Sequence, residues 1–116
     1  MSRNAWRVAL HPLVFDDLVR LHRHIVDATG DPDAGSRRVS EIDALIGSIA
    51  QDPFLEAPLK GAREGFRRRH GGTDRRVTII YAVDDETALV RIQLVAFGGQ
   101  NWSARAAVRP AARSER

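Results

Sequence analysis

The sequence has no cysteine, one lysine, one tyrosine and four histidines among its 116 residues. Without cysteine there are no disulfides, no thiol nucleophile and no cysteine-based zinc site. His22 and His24 stand two apart in a segment with helical periodicity and so point in different directions, and His11 and His70 are isolated. This spacing provides no metal ligand set, and neither a metal nor another cofactor is expected. No apolar run approaches the ~18 residues of a membrane span. The opening Met1-Ser2-Arg3-Asn4-Ala5-Trp6 lacks the apolar core of a secretory signal, so a cytoplasmic location is expected, away from membranes.

Positive charge is present, and it is local. Residues 60–76 carry Lys60, Arg63, Arg67, Arg68, Arg69, Arg75 and Arg76 against Glu64 and Asp74, a net +5, whereas the rest of the chain sums to −2. Seventeen of the 18 basic residues are arginine, the side chain suited to bidentate pairing with carboxylate or phosphate. Such crowding around one turn is unfavourable unless an anion compensates it. The alternative is an edge strand guarded by solvated charge.

Hydrophobic periodicity orders the chain as βααβββ. Trp6, Val8 and Leu10 alternate as in a half-buried strand. Pro12 opens a helix running to Ala28, with Asp16 and Asp17 near its positive end and His11 at the cap position. Thr29-Gly30 ends this helix. Asp31-Pro32 caps a second, with Val39, Ile42, Ile46 and Ile49 on one stripe, and Pro53 stops it. After a loop over 53–64 come strands at Phe66–His70, Arg76–Val83 and Ala88–Phe97, the first two joined through Gly71-Gly72-Thr73-Asp74. Strand alternation puts Val90, Ile92, Leu94 and Ala96 on an apolar face beneath the helices and Arg91, Gln93, Val95 and Phe97 on the other. The expected fold class is α+β: an N-terminal strand and an antiparallel helical hairpin on one face of an antiparallel sheet, the other face free to be polar. One domain over residues 1–105 is expected, followed by a basic tail at 106–116.

Several landmarks coincide with this order: Asp17-Leu18 with Leu21 and Ile25, Asp31-Pro32 with Ala34, Asp52-Pro53, Leu59-Lys60-Gly61, Gly65-Phe66-Arg67-Arg68, Ile80-Tyr81-Ala82-Val83 and Val90-Arg91-Ile92. Taken together they resemble toxins of the RelE/ParE superfamily of bacterial toxin–antitoxin pairs, over residues 5 to about 106. Gln100-Asn101-Trp102-Ser103-Ala104-Arg105-Ala106 resembles the stretch that follows the last strand in the ParE branch. The resemblance implies a growth-inhibiting toxin neutralised by an acidic antitoxin. A ParE-like member would poison DNA gyrase, whereas a RelE-like member would cut messenger RNA on the ribosome.

RNA cleavage through the 2′-hydroxyl requires a base, cations on the crowded phosphate and an acid for the leaving oxygen. Arg67 and Arg69 fall where RelE-like toxins alternate basic residues, but Thr78 stands where they carry arginine and no tyrosine or histidine follows the last strand. By strand alternation Arg76 would share the face of Thr78 and partly replace the missing charge, and His70 is the one acid–base candidate beside the patch. A nuclease would therefore use Arg67, Arg69, His70 and Arg76. A binding toxin would meet its target through Arg67, Arg69, Arg75, Arg76, Arg91, Gln100, Trp102 and Arg105. Tyr81 reads as a buried aromatic with its hydroxyl at the sheet edge. A plain nucleic-acid-binding domain is a third reading, with Phe66 and Tyr81 the sole stacking residues near the patch. A non-toxic partner of the same fold is a fourth.

Overall fold

Asp31 accepts a hydrogen bond from the amide of Asp33 (3.0 Å) and Pro32 takes the first helical position, so the second helix begins where the sequence places its cap. The computed structural model describes residues 6–60 and 65–98, with Asp74 described in its backbone only. Its elements run β1 (Arg7–Leu10), α1 (Val14–Thr29), α2 (Pro32–Gln51), β2 (Phe66–Gly71), β3 (Val77–Asp84) and β4 (Leu89–Phe97), with a 3-10 turn at Thr73–Arg75. His11 serves α1 as a cap: its Nδ1 accepts the amide of Leu13 at 3.0 Å. Gly30, at φ 70°, closes α1 by donating its amide to the Val26 carbonyl, a left-handed position that suits glycine.

The sheet order is β1-β4-β3-β2. β2, β3 and β4 form the expected antiparallel meander, while β1 joins β4 in parallel, so the sheet is mixed rather than wholly antiparallel. Among the described residues β1 has a neighbour on one side only, and this corrects the half-buried strand expected for it. Val8 and Leu10 stay 38% and 50% exposed, and only Trp6 packs against the core.

The apolar phase of β4 also departs from simple alternation. Ile80 pairs with Leu94 and Tyr81 with Ile92, so Gln93 is an extra residue in β4 and the strand bulges there. Before the bulge Val90 and Ile92 face the helices; after it Val95 and Phe97 do, in one core with Leu21, Ile25, Ile42, Ile49, Val77, Ile79 and Tyr81. Leu94 and Ala96, expected under the helices, lie instead on the opposite face with Ile80, Leu59 and Phe66. That face is therefore not free to be polar along its centre, because Ile80 and Leu94 are fully buried there.

Asp17 secures this arrangement. β1 ends opposite Ile92, and three residues further on the amide of Val95 donates to Asp17 Oδ2 at 3.0 Å. The carboxylate read from sequence as a helix-dipole partner is buried, and it ties α1 to the bulged strand. Asp17→Ala leaves a buried amide without its acceptor and should cost about 1–3 kcal/mol in a urea unfolding curve. A loss within about 0.5 kcal/mol, the range of ordinary surface changes, would show that the tie does not matter.

Candidate functional site

Alternation along β2 sends its basic residues to two faces. Arg67 and Arg69 pair across from Tyr81 and Ile79 on the helix side, whereas Arg68 and His70 pair with Ile80 and Thr78 on the other.

On the helix side the two arginines hold the loop that follows α2. Arg69 is buried, and each of its guanidinium nitrogens has a partner: Nε donates to Glu56 Oε1 (2.7 Å), Nη1 to Ser48 Oγ (3.1 Å) and Nη2 to the Asp52 carbonyl (2.8 Å). Tyr81 donates its hydroxyl to the Pro53 carbonyl at 2.8 Å. Burial raises the phenol's pKa and outweighs the nearby Arg69, so at neutral pH the hydroxyl keeps the proton it donates. Arg67 donates Nη1 to the Glu56 carbonyl and lays its guanidinium over the Phe54 ring, 4.9 Å from the centroid. The carbonyls of Asp52, Pro53 and Glu56 are thus all taken up by side chains rising from the sheet. Arg69, expected to hold an anion from outside, finds its carboxylate within the chain.

The opposite face holds the acid–base candidate. His70 Nδ1 lies 3.0 Å from Thr78 Oγ1, in one shared hydrogen bond. Desolvation is the main cause that lowers the imidazole's pKa, and the positive charges of Arg68 and Arg75 lower it further against a smaller opposing effect of Glu56. A neutral imidazole flanked by arginine charge can accept a proton beside an anion.

The turn between β2 and β3 is fastened to α2. Glu41 accepts the Thr73 hydroxyl (2.7 Å) and amide (3.1 Å) and pairs with Arg38 Nη1 (3.2 Å). The Thr73 hydroxyl bond, then the Thr73 amide and Arg38, hold the Glu41 pKa below its ordinary value. Arg75, at φ 55°, takes a left-handed conformation that non-glycine residues adopt at a cost. Arg76 is helical in its backbone (φ −89°, ψ −5°) and so stands off the strand. Its guanidinium covers the Phe97 ring at 5.1 Å, with Arg38 at 5.5 Å from the same ring. Phe97 belongs to the helix-side core, so Arg76 does not share the face of Thr78 as alternation alone predicts. Arg91 pairs with Asp84 at 3.3 Å, at the far end of β3 from this turn.

The expected site residues are therefore dispersed. His70, Thr78 and the charges of Arg68 and Arg75 come together; Arg67 and Arg69 lie across the sheet from them, and Arg76 and Arg91 sit at opposite ends of β3. Gln100, Trp102, Arg105 and the expected tail lie outside the described residues. Among the described residues no group of three His, Cys, Asp or Glu side chains is placed to hold a metal, and no helix is long and apolar enough to cross a membrane. Glu56 and Glu41, the carboxylates that organise the arginines, carry no signal in the sequence, since one lies in a loop and the other on a polar helix face.

No family model and no curated protein matches the sequence. The fold does match solved structures. A chain of the toxin–antitoxin complex RelBE2 from Mycobacterium tuberculosis aligns over 81% of this chain and 99% of its own, at TM-score 0.57 and 20% identity. An arginine-substituted form of the E. coli toxin RelE in the free state aligns over 90% and 96%, at TM-score 0.58 and 14% identity. At these identities the likeness is one of fold, and the expected α+β architecture is the RelE-like one.

Two outcomes follow from the geometry. Arg69→Ala should destabilise the chain by about 3 kcal/mol, the lower end for breaking a buried pair because Glu56 keeps a third of its side chain in water. Arg69→Lys should not restore the loss, since one ammonium cannot span the three acceptors. His70 should titrate below 6.5 by NMR, and Arg75→Ala should move it upward. With the folded pKa depressed, the unfolded chain binds the proton more readily. His70's contribution is therefore intact above 6.5 and is lost as pH falls from there through the folded pKa.

Proposed function

We propose that this protein is the toxin of a toxin–antitoxin pair, held inactive by an acidic antitoxin. The observation that carries this reading is the fold likeness to RelE and to a chain of the RelBE2 toxin–antitoxin complex, which spans nearly the whole of each matched chain. The +5 segment at 60–76 supports a partner rich in carboxylates, whose disordered segment would fold along the helices and sheet.

For the target we favour action by binding, with DNA gyrase as the target implied by the ParE-like stretch at Gln100–Ala106. Two features support binding over RNA cleavage: Arg69 is consumed by Glu56, Ser48 and the Asp52 carbonyl, and Arg76 lies over Phe97 away from Thr78. Neither structural neighbour is a gyrase poison by name. The RelE-like alternative, ribosome-dependent cleavage of messenger RNA, draws on both neighbours and on the neutral His70 beside Thr78 with arginine charge around it.

The chain should be expressed alone and together with the small protein encoded beside its gene. Expected outcomes are growth arrest, rescue by the neighbour at near-equal stoichiometry, and accumulation of cleaved gyrase–DNA complexes. Messenger RNA cut on ribosomes within minutes would overturn the gyrase reading in favour of the nuclease. His70→Ala separates the two quantitatively. Loss of a general base would lower toxicity by about 100-fold or more, whereas trimming one contact of a binding surface would lower it by about tenfold or less.

A further inference from the structure

The loop after α2 is held from beneath and presents its apolar residues outward. Phe54 is 46% exposed and Leu55 64% exposed, while Pro53 between α2 and this pair is buried. Isolated exposed apolar side chains are ordinary, as Phe15 on α1 is. Phe54 and Leu55 differ because the backbone on either side of them is tied to the sheet. The carbonyls of Asp52, Pro53 and Glu56 are bonded to Arg69, Tyr81 and Arg67. Phe54 has the Arg67 guanidinium over its ring and meets Trp6 edge to face at 5.4 Å. The backbone over Asp52–Glu56 is thus held before any partner arrives, and that ordering cost is otherwise met on binding.

We propose that Phe54 and Leu55, with Arg67 beside them, form a rigid protein-docking knob through which the toxin engages its target, a folded protein presenting an apolar pocket rimmed by carboxylate. This inference rests on the toxin reading and adds a contact surface to it. Arg67 is half-buried and spends one nitrogen on the Glu56 carbonyl; among the described residues its other donors have no hydrogen-bond partner, which leaves them for a carboxylate. Nucleic acid is the poorer fit, because Arg67 already covers the Phe54 ring and Trp6 abuts it, leaving little open surface for a base to stack on. A disordered antitoxin segment is also a poorer fit, since a chain that folds on binding settles into grooves. The protein has such a groove elsewhere, of about 420 Å³, lined by Val19, His22, Arg23, Val26, Asp27 and Pro32. A fixed convex aromatic–aliphatic pair beside a guanidinium suits a preformed pocket.

The test compares wild type, Leu55→Asp and Leu55→Ser for growth inhibition, thermal melting and co-purification with the neighbouring antitoxin. The Leu55 side chain is 64% exposed, so both variants should melt within about 2 °C of wild type. Leu55→Asp should lower toxicity at least tenfold in viable counts, Leu55→Ser by less, and both should keep the antitoxin at wild-type stoichiometry. Undiminished toxicity of a folded Leu55→Asp would overturn the proposal. So would loss of antitoxin with toxicity retained, because the knob would then belong to the antitoxin. A wild type that does not inhibit growth, with or without the antitoxin, would overturn the toxin reading itself, and this inference with it. Should Leu55→Asp melt early, Leu55→Ser decides alone: toxicity equal to wild type overturns the proposal and a graded loss supports it.

Discussion

A buried guanidinium must place its donors on acceptors or leave charge stranded in a medium that penalises it. Arg69 meets this requirement by drawing three parts of the chain to itself: the last turn of α2 through Ser48, the residue after it through the Asp52 carbonyl, and the loop through Glu56. Pro53 ends α2, and the path of the chain over Asp52–Glu56 and the outward aim of Phe54 then follow from where that group sits in β2. Tyr81 and Arg67 extend the same solution on either side, each supplying a donor to a loop carbonyl that would otherwise face the core.

This use of arginine changes what a basic cluster means. Seven cations in seventeen residues suggest one surface made for an external anion. In the folded chain they do different work according to strand parity. The odd positions of β2 turn inward and stabilise a loop, the even ones turn to the face where His70 meets Thr78, and those of the turn are set by Glu41 and Thr73. The outward positive field is thus carried by fewer groups than the count implies. Around His70 that field, added to burial, favours the neutral imidazole at physiological pH.

The bulge at Gln93 has an equally broad effect. One extra residue in β4 exchanges the faces of everything after it, so a strand that alternates as if for a one-sided sheet supplies apolar groups to both faces. Ile80 and Leu94 then require cover on the side away from the helices, and Leu59 and Phe66 pack there, the Leu59 amide donating to the Phe66 carbonyl at 2.7 Å. Among the described residues, what is left for polar groups on this side consequently lies at the sheet's ends and rims, as at the β2–β3 turn with His70 behind it.

Local chemistry alone determined much of this protein. The Asp31-Pro32 cap, the left-handed Gly30, the stripe of Ile42 and Ile49 and the order of elements are all legible, because each depends on residues within a few positions of one another. The burial of Tyr81 is legible for the same reason. What only the tertiary structure decided involves partners far apart in the chain. The parallel pairing of β1 with β4 joins residues about eighty positions apart, and Asp17 meets Val95 across a similar gap. The bulge at Gln93 leaves no mark in composition, because the residues on both sides of it are apolar and either phase buries them. Arg69 and Arg76 are indistinguishable in sequence from surface cations. One is internal because Glu56 stands where it can receive it, and the other leaves the strand because the turn before it ends in helical geometry.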